Sequence, residues 1–294
     1  MYKKDYKYYL SRIAIYIPLW LILIVCVVPF LTIVAVSFTP ESEITRAGYK
    51  IIPEALSLEA YKMMFRDSRA IVSAYKTTII TSVCGTILSI YLMATLGYVM
   101  SRNDFRWKKP LSFYIFFTML FSGGMIPTYI LVTQYLGLKN NILALFVPSL
   151  VGAWNVMLLK NFFMQLPTSL IESAKLDGAS EFYIFCKIAL PLTKTGIAVV
   201  TLFVFLGFWN EWMNSMLYMT KGDNVSIQYL LQKILKDASF MQKNKELGMF
   251  TDAMLPDENL KMANCVIAAG PAVLVFPFFQ KYFVKGMTVG SIKE

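Results

Sequence analysis

The sequence predicts an all-α membrane protein, and three observations carry that prediction. Of 294 residues, 57% are hydrophobic and 15% aromatic, with a mean hydropathy of +0.56, above what a soluble globular chain carries. Six apolar stretches recur along the chain, each offering the roughly 20 residues a helix needs to cross a hydrocarbon core. Basic residues outnumber acidic ones by 28 to 18, a net charge of +10. They fall in short clusters between the apolar stretches and build no continuous basic face, which is the pattern of loops beside membrane spans and not of a nucleic-acid surface.

The first predicted span covers residues 13–38 and follows Lys3, Lys4, Lys7 and Arg12. Its apolar run exceeds the about 7 to 15 residues of a secretory signal core, so cleavage after Ala35-Val36-Ser37 is not expected. Further spans are predicted over 77–100, 111–135, 142–163, 192–219 and 262–283, and the whole of 1–294 reads as one transmembrane domain. Pro18, Pro29, Pro127, Pro148, Pro271 and Pro277 mark kinks that neighbouring helices can accommodate. Gly123 and Gly124, close to Pro127, allow either close helix approach or local unwinding. The basic N-terminus and the compact basic loop SRNDFRWKKP put both termini in the cytoplasm. Residues 164–191 then face the cytosol. Residues 38–70 and 220–260 lie outside, the latter with an amphipathic helix around Ile227–Leu235.

Several chemistries are disfavoured. Histidine is absent, which removes the commonest general base and metal ligand. Cys26, Cys84, Cys186 and Cys265 form no CxxC pair, so neither a metal site nor a disulfide framework follows. No G-x-x-x-x-G-K-[ST] loop occurs, so this chain is expected to bind no nucleotide and no cofactor. A self-sufficient secondary transporter or channel, the alternative reading, would want paired midplane charges or inverted repeats. The spans offer one candidate acid, Glu211, and no repeat.

One polar interlude stands out: PTSLIESAKLDGASEFYIFCKIALP, residues 167–191. Ser169-x-x-Glu172 reads as a capping box that starts a short helix. Gly178 supplies the turn that ends it. A second helix is predicted from Ser180 to Ala189, presenting Phe182, Phe185, Ile188 and Ala189, and Pro191 opens the fifth span. Small residues Ser173, Ala174 and Ala179 around the turn would let another protein approach the backbone. A solvated connector fits the same spacing.

The pattern E-A-A, three residues, G, nine residues, I-x-L-P stands here as Glu172-Ser173-Ala174, Gly178 and Ile188-Ala189-Leu190-Pro191. It resembles the signature loop of the membrane subunits of binding-protein-dependent ABC importers, with Ser173 replacing the middle alanine, small for small. FTMLFSGGMIPTYILVTQYLGLKNN (117–141) and the ending PFFQKYFVKGMTVGSIKE resemble the carbohydrate branch, in the subgroup related to the LplC and YtcP permeases. The resemblance implies a type I ABC importer transmembrane-domain fold with a cytoplasmic coupling helix between spans four and five. It implies that Glu172, Ser173, Ala174, Asp177, Gly178, Ile188, Leu190 and Pro191 serve ATPase coupling, and that the tail at Gly286, Gly290 and Ser291 also contacts the ATPases. Implied partners are a homologous permease subunit, two cytoplasmic ATPases that hold ATP and Mg, and an external solute-binding lipoprotein. The implied cargo is carbohydrate, as oligosaccharides or polysaccharide fragments, carried across a bacterial plasma membrane.

A candidate substrate path lies in LGFWNEWMNSMLYM, residues 206–219. A carboxylate at a span centre costs on the order of 3 kcal/mol, so Glu211 should face a cavity, a partner or water. Asn210 and Asn214, spaced i to i+4, would share a helix face. Trp209 and Trp212 could stack on sugar rings or anchor at the interface, and the asparagines could bind hydroxyls or bridge helices. The related subgroup resembles this segment as W-N-x-W-x-N, with Glu211 a departure. Trp154 and Asn155 form a second polar-aromatic pair in span four, where packing against another span is the plainer role.

Overall fold

Long apolar runs make the helices, and some of those runs are broken where glycines or polar residues interrupt them. The computed structural model describes residues 6–221, 224–246 and 258–289, and among them it contains helices and no strand. Two units can be distinguished, residues 1–68 with 231–270, and residues 69–230 with 271–294. Three stretches are long and apolar enough to cross a bilayer: Arg12–Ser37, Ser68–Ser101 and Glu258–Gln280. Three bent pairs also pass when each is taken as one span, which brings the total to as many as six.

The first unit begins with α1 (Tyr6–Ser37), which contains Pro18 and Pro29 and is exposed from Arg12 to Leu31. So much bare apolar surface needs lipid or another helix against it. Beyond it, α2 (Glu41–Ala47) and α3 (Glu59–Met64) sit in a connection ordered by buried carboxylate chemistry. Glu43 accepts from the N–H groups of Glu54 (2.9 Å) and Ala55 (3.2 Å). Glu41 accepts from the first amides of the last helix, at Glu258 and Asn259, where a helix N-terminus favours negative charge.

The second unit starts with α4 (Ser68–Ser101), an uninterrupted 34-residue helix. Three expected spans follow, and none is a single straight helix. Span three is α5 (Lys108–Leu120) followed by α6 (Met125–Ile130) and a π-turn over Leu131–Tyr135, bent by 111°. The break falls at Phe121–Gly124. Gly124 has φ +88°, and a Cβ at Gly123 or Gly124 would meet nothing within 4 Å, so these glycines unwind the chain and do not serve close packing. Span four is two short 3-10 turns, Ile142–Leu145 and Val147–Ser149, joined at 53° to α7 (Ala153–Met164).

The polar interlude forms α8 (Thr168–Leu176) and α9 (Glu181–Ile184), then a π-turn over Phe185–Ala189 and α10 (Leu190–Leu192). An 82° bend at Thr193 separates this from α11 (Lys194–Trp209). Pro191 therefore lies in α10, just past the π-turn, and not at the start of α11. It has no N–H to give and its ring crowds the carbonyl four residues back. The preceding turn relaxes to i→i+5, with the Leu190 amide on the Phe185 carbonyl. After α11 the chain breaks at 210–212 and resumes as α12 (Met213–Tyr218). The expected amphipathic helix is present as α13 (Ile227–Glu246), longer than the pattern predicts. The last helix, α14, spans Glu258–Val289 with Pro271 and Pro277 inside it.

The core of the second unit gathers Met93, Tyr98, Leu159, Phe163, Ile184, Phe185, Val200, Val204 and Phe208. Tyr98 meets the rings of Phe163 at 5.6 Å and Phe185 at 5.1 Å. Gly196 lets α11 close onto the ring of Phe162 on α7, where any Cβ would overlap.

Candidate functional site

The expected capping box is absent. α8 starts at Thr168 with Pro167 as its N-cap and no side-chain cap bond, which places Ser169 inside the first turn, two residues past the capping position. The other end matches the sequence reading closely. The Gly178 amide bonds the Lys175 carbonyl (3.0 Å) and the Ala179 amide bonds the Ala174 carbonyl (2.9 Å), a Schellman closure with Gly178 at φ +79°. Ser180 then caps α9, its hydroxyl accepting from the Tyr183 amide at 3.3 Å.

This turn sorts the signature residues by face. Glu172, Ser173, Asp177, Gly178 and Pro191 are exposed; Ile188 and Leu190 are half-buried against the core. Ala174 is turned inward, 9% exposed, with Ala179 packed beside it, so the expected small-residue approach surface reduces to Ser173 and Gly178. Phe185 and Ala189 are likewise core residues. The outward apolar groups are Leu176, 90% exposed, and Phe182 and Tyr183 on α9. Leu176 was legible as the apolar residue opposite the Ile171–Ala174 stripe and was missed.

Four charges also missed from sequence tie this loop to the end of α4. Lys175 bridges Asp104 and Glu181 at 2.6 Å each. Arg102 bridges Asp104 at 2.8 Å and Glu181 at 3.6 Å. The Tyr98 hydroxyl donates to Glu181 at 3.3 Å. The Lys175 ammonium, with help from Arg102, holds the Asp104 carboxyl down to about 2. Lys175 is correspondingly raised by its hydrogen bonds to Asp104 and Glu181. A cleft of about 340 Å³ opens beside this cluster, with Arg102, Asp104, Ile171, Glu172 and Lys175 on its walls.

Of the candidate substrate-path residues, two meet. Asn155 and Glu211 line one cavity of about 260 Å³ with Met93, Ser149, Gly152 and Gly207. A Glu211 carboxylate oxygen also accepts from the Asn214 amide at 2.6 Å and so caps α12. Asn210 and Asn214 do not share a helix face, because the helix ends between them. Exposed Asn210 accepts from Gln228 (3.3 Å), while Asn214 donates to the Leu145 carbonyl (3.4 Å). Trp209 is buried and stacked on Phe205, Trp212 is half-buried, and Trp154 is 67% exposed, away from the packed interior that its sequence position suggested. Gly286 lies within α14, and Gly290 and Ser291 are outside the described residues.

The chain thus combines apolar, bent helices with an exposed helix-turn-helix between its fourth and fifth apolar segments. Residues 93–289 match the family described as "Binding-protein-dependent transport system inner membrane component", and the chain belongs to that family. It is 40% identical to the polygalacturonan/rhamnogalacturonan transport system permease protein YtcP of Bacillus subtilis (strain 168), over 97% of this chain and 98% of the relative. It is 38% identical to protein LplC of the same organism, over 92% and 90%. A chain in the crystal structure of a bacterial ABC transporter involved in import of the acidic polysaccharide alginate superimposes with a TM-score of 0.78 at 25% identity, covering 96% of this chain and 100% of that one. This protein is therefore a multi-pass membrane component of an ABC transport system, and its role is transport and not catalysis.

Proposed function

We propose that the chain is one permease subunit of an ATP-driven importer that carries carbohydrate, as oligosaccharides or fragments of polysaccharide, into a bacterial cell. It crosses the membrane six times with both termini cytoplasmic, counting each bent pair as one span. It pairs with a homologous permease, and an external solute-binding lipoprotein delivers the sugar. Two cytosolic ATPases, which hold ATP and Mg, grip the loop of residues 164–191. The single observation that carries the reading is the exposed turn Glu172–Gly178 in register with the family signature. Leu176 and Phe182 there give a partner apolar surface to cover. The Asn155–Glu211 cavity would be a waypoint on the sugar's route, since amide and carboxylate can bond hydroxyls. The relative named as a polygalacturonan/rhamnogalacturonan transport system permease supports the cargo class.

Gly178 provides the test. A Cβ there meets nothing within 4 Å of this chain, so a substitution costs only the left-handed backbone strain, roughly 1–2 kcal/mol, and less for asparagine. Gly178→Asn and Gly178→Asp should both reach the membrane at normal abundance, fail to retain the ATPases on purification and abolish uptake. Normal substrate-stimulated hydrolysis in both variants would overturn the proposal.

A further inference from the structure

At the end of α4 remote from Arg102, a polar pocket of about 340 Å³ is lined by Lys76, Thr77, Asn140, Asn141 and Asn224 among others. That is within the size range of small-ligand sites. Lys76 and Ser101 are 25 residues apart on one helix, about 37 Å at 1.5 Å per residue, which exceeds the hydrocarbon thickness of about 30 Å. With the coupling loop cytosolic, this pocket opens on the outer side.

Its chemistry is one-sided. Asn140 stands at φ +59°, and its side-chain oxygen is already engaged by the Thr220 amide (2.8 Å), the Thr220 hydroxyl (3.2 Å) and the Lys221 amide (2.9 Å). The Asn141 oxygen accepts from the Leu143 amide at 3.0 Å. With both oxygens engaged within the protein, the two amide NH2 groups are left as the available ends, alongside the Lys76 ammonium. No described carboxylate pairs with Lys76, Lys139 or Lys221. In residues 69–230 the described acids are Asp104, Glu172, Asp177 and Glu181 by the coupling loop, and Glu211 in the bundle. Asp223 lies outside the described residues. Exposed cations on outer loops run against the usual cytoplasmic bias of Lys and Arg, so a basic outer rim calls for a use.

We propose that Lys76, Asn140 and Asn141 form an outer-mouth subsite that binds the carboxylate of an acidic saccharide, a uronate unit, as it enters the permease. The inference rests on the carbohydrate-import reading above and names the class of sugar. Three donors suit a carboxylate's two oxygens, and the ammonium adds a charge-assisted bond that a neutral sugar cannot reciprocate.

The test uses the permease pair with its ATPases in nanodiscs, and two probes that differ only in charge: trigalacturonate and its neutral methyl ester. Saturation-transfer NMR should show trigalacturonate bound to the wild type, weakened about three- to tenfold by Lys76→Gln and restored by Lys76→Arg, the range expected between an exposed and a charge-assisted contact. The ester should be indifferent to both variants. Uptake by the full importer should follow, with KM for the acid raised in Lys76→Gln and kcat unchanged. Equal behaviour of acid and ester, or no effect of Lys76→Gln, overturns the subsite and leaves the carbohydrate reading standing. Binding through Lys76 with no inward transport of any saccharide keeps the subsite and overturns the import reading. Loss of saccharide binding when phosphatidylglycerol replaces phosphatidylcholine in the nanodisc assigns the pocket to a lipid headgroup and also overturns the proposal.

Discussion

Replacing Lys175 by methionine keeps the aliphatic stem and deletes one charge that two carboxylates share. The two 2.6 Å bridges involve side chains that are 38%, 52% and 55% exposed, so each contributes about 0.5–1 kcal/mol and not the several kcal/mol of a buried pair. Their joint loss is expected to cost about 1–2 kcal/mol, confined to the junction between α8, α9 and the segment after α4. Arg102 remains on Asp104 and Glu181, so the loop loosens but does not detach. Hydrogen exchange on the assembled complex should show amides in 101–107 and 168–184 exchanging faster by roughly 5- to 30-fold, with α11 unchanged. Uptake per ATP hydrolysed should fall while ATPase binding persists, because the proposed docking surface at Glu172, Leu176 and Gly178 is untouched. Adding Asp104→Asn to Lys175→Met should cost less than the sum of the two single changes. Unchanged exchange in 101–107, or strict additivity in that cycle, would refute the view that Lys175 mechanically joins loop to span.

Acid should loosen the same junction. Asp104 is held at about 2 against an ordinary value of 3.8. Its contribution is thus complete above pH 4 and is lost as pH falls from about 4 towards 2. The shift at face value is worth at most about 2.5 kcal/mol, reduced to about 1 kcal/mol because half the side chain is in solvent. Exchange in 101–107 measured against pH should show this loss, and Asp104→Asn should abolish the pH dependence. Gly196→Ala forces a methyl into the Phe162 ring and should lower thermal stability by about 1–3 kcal/mol, read as a lower aggregation temperature in detergent. Glu211→Gln keeps an acceptor for the Asn214 amide, whereas Glu211→Ala removes it and should cost about 1 kcal/mol of α12. If both variants transport normally once folded, Glu211 is a cap and nothing more; loss of uptake in Glu211→Gln assigns its charge to the path.

The sequence was legible where one residue type admits one backbone answer. Gly178 had to turn the chain, and it does so at φ +79°. Hydropathy located the apolar stretches that supply three candidate spans, or up to six with each bent pair taken as one, because apolarity summed along a segment is a bulk property. It did not place the breaks within spans three to five, although Ser122-Gly123-Gly124 and Asn210-Glu211 interrupt the apolar runs there, because an average over the roughly 20 residues of a span tolerates a short polar or glycine interruption. Those breaks undid the Asn210–Asn214 face, because an i to i+4 argument presupposes a continuous helix. The ion cluster was invisible for another reason: Arg102 and Asp104 sit some 70 residues before Lys175 and Glu181, and no local pattern reports a contact made by tertiary folding.

These contacts give a physical route by which the exposed loop of residues 164–191, if it docks a partner as proposed, would affect the cavity at Asn155 and Glu211. Glu181 belongs to the loop and bonds the Tyr98 hydroxyl, while the Tyr98 ring packs on Phe163 of α7 and on Phe185 next to α9. Five residues further up α4, about 7.5 Å along the axis, Met93 lines the cavity that holds Asn155 and Glu211. α4 has no break between Tyr98 and Met93, and a close-packed interior passes displacement on without absorbing it. The neighbouring segments are jointed, at 53° before α7 and at 82° before α11, so a force on the loop meets one stiff rod and two hinged ones. A tilt of the rod against the hinged segments changes the cavity's walls without unfolding any helix, which is the mechanical requirement for access that alternates between the two sides of a membrane.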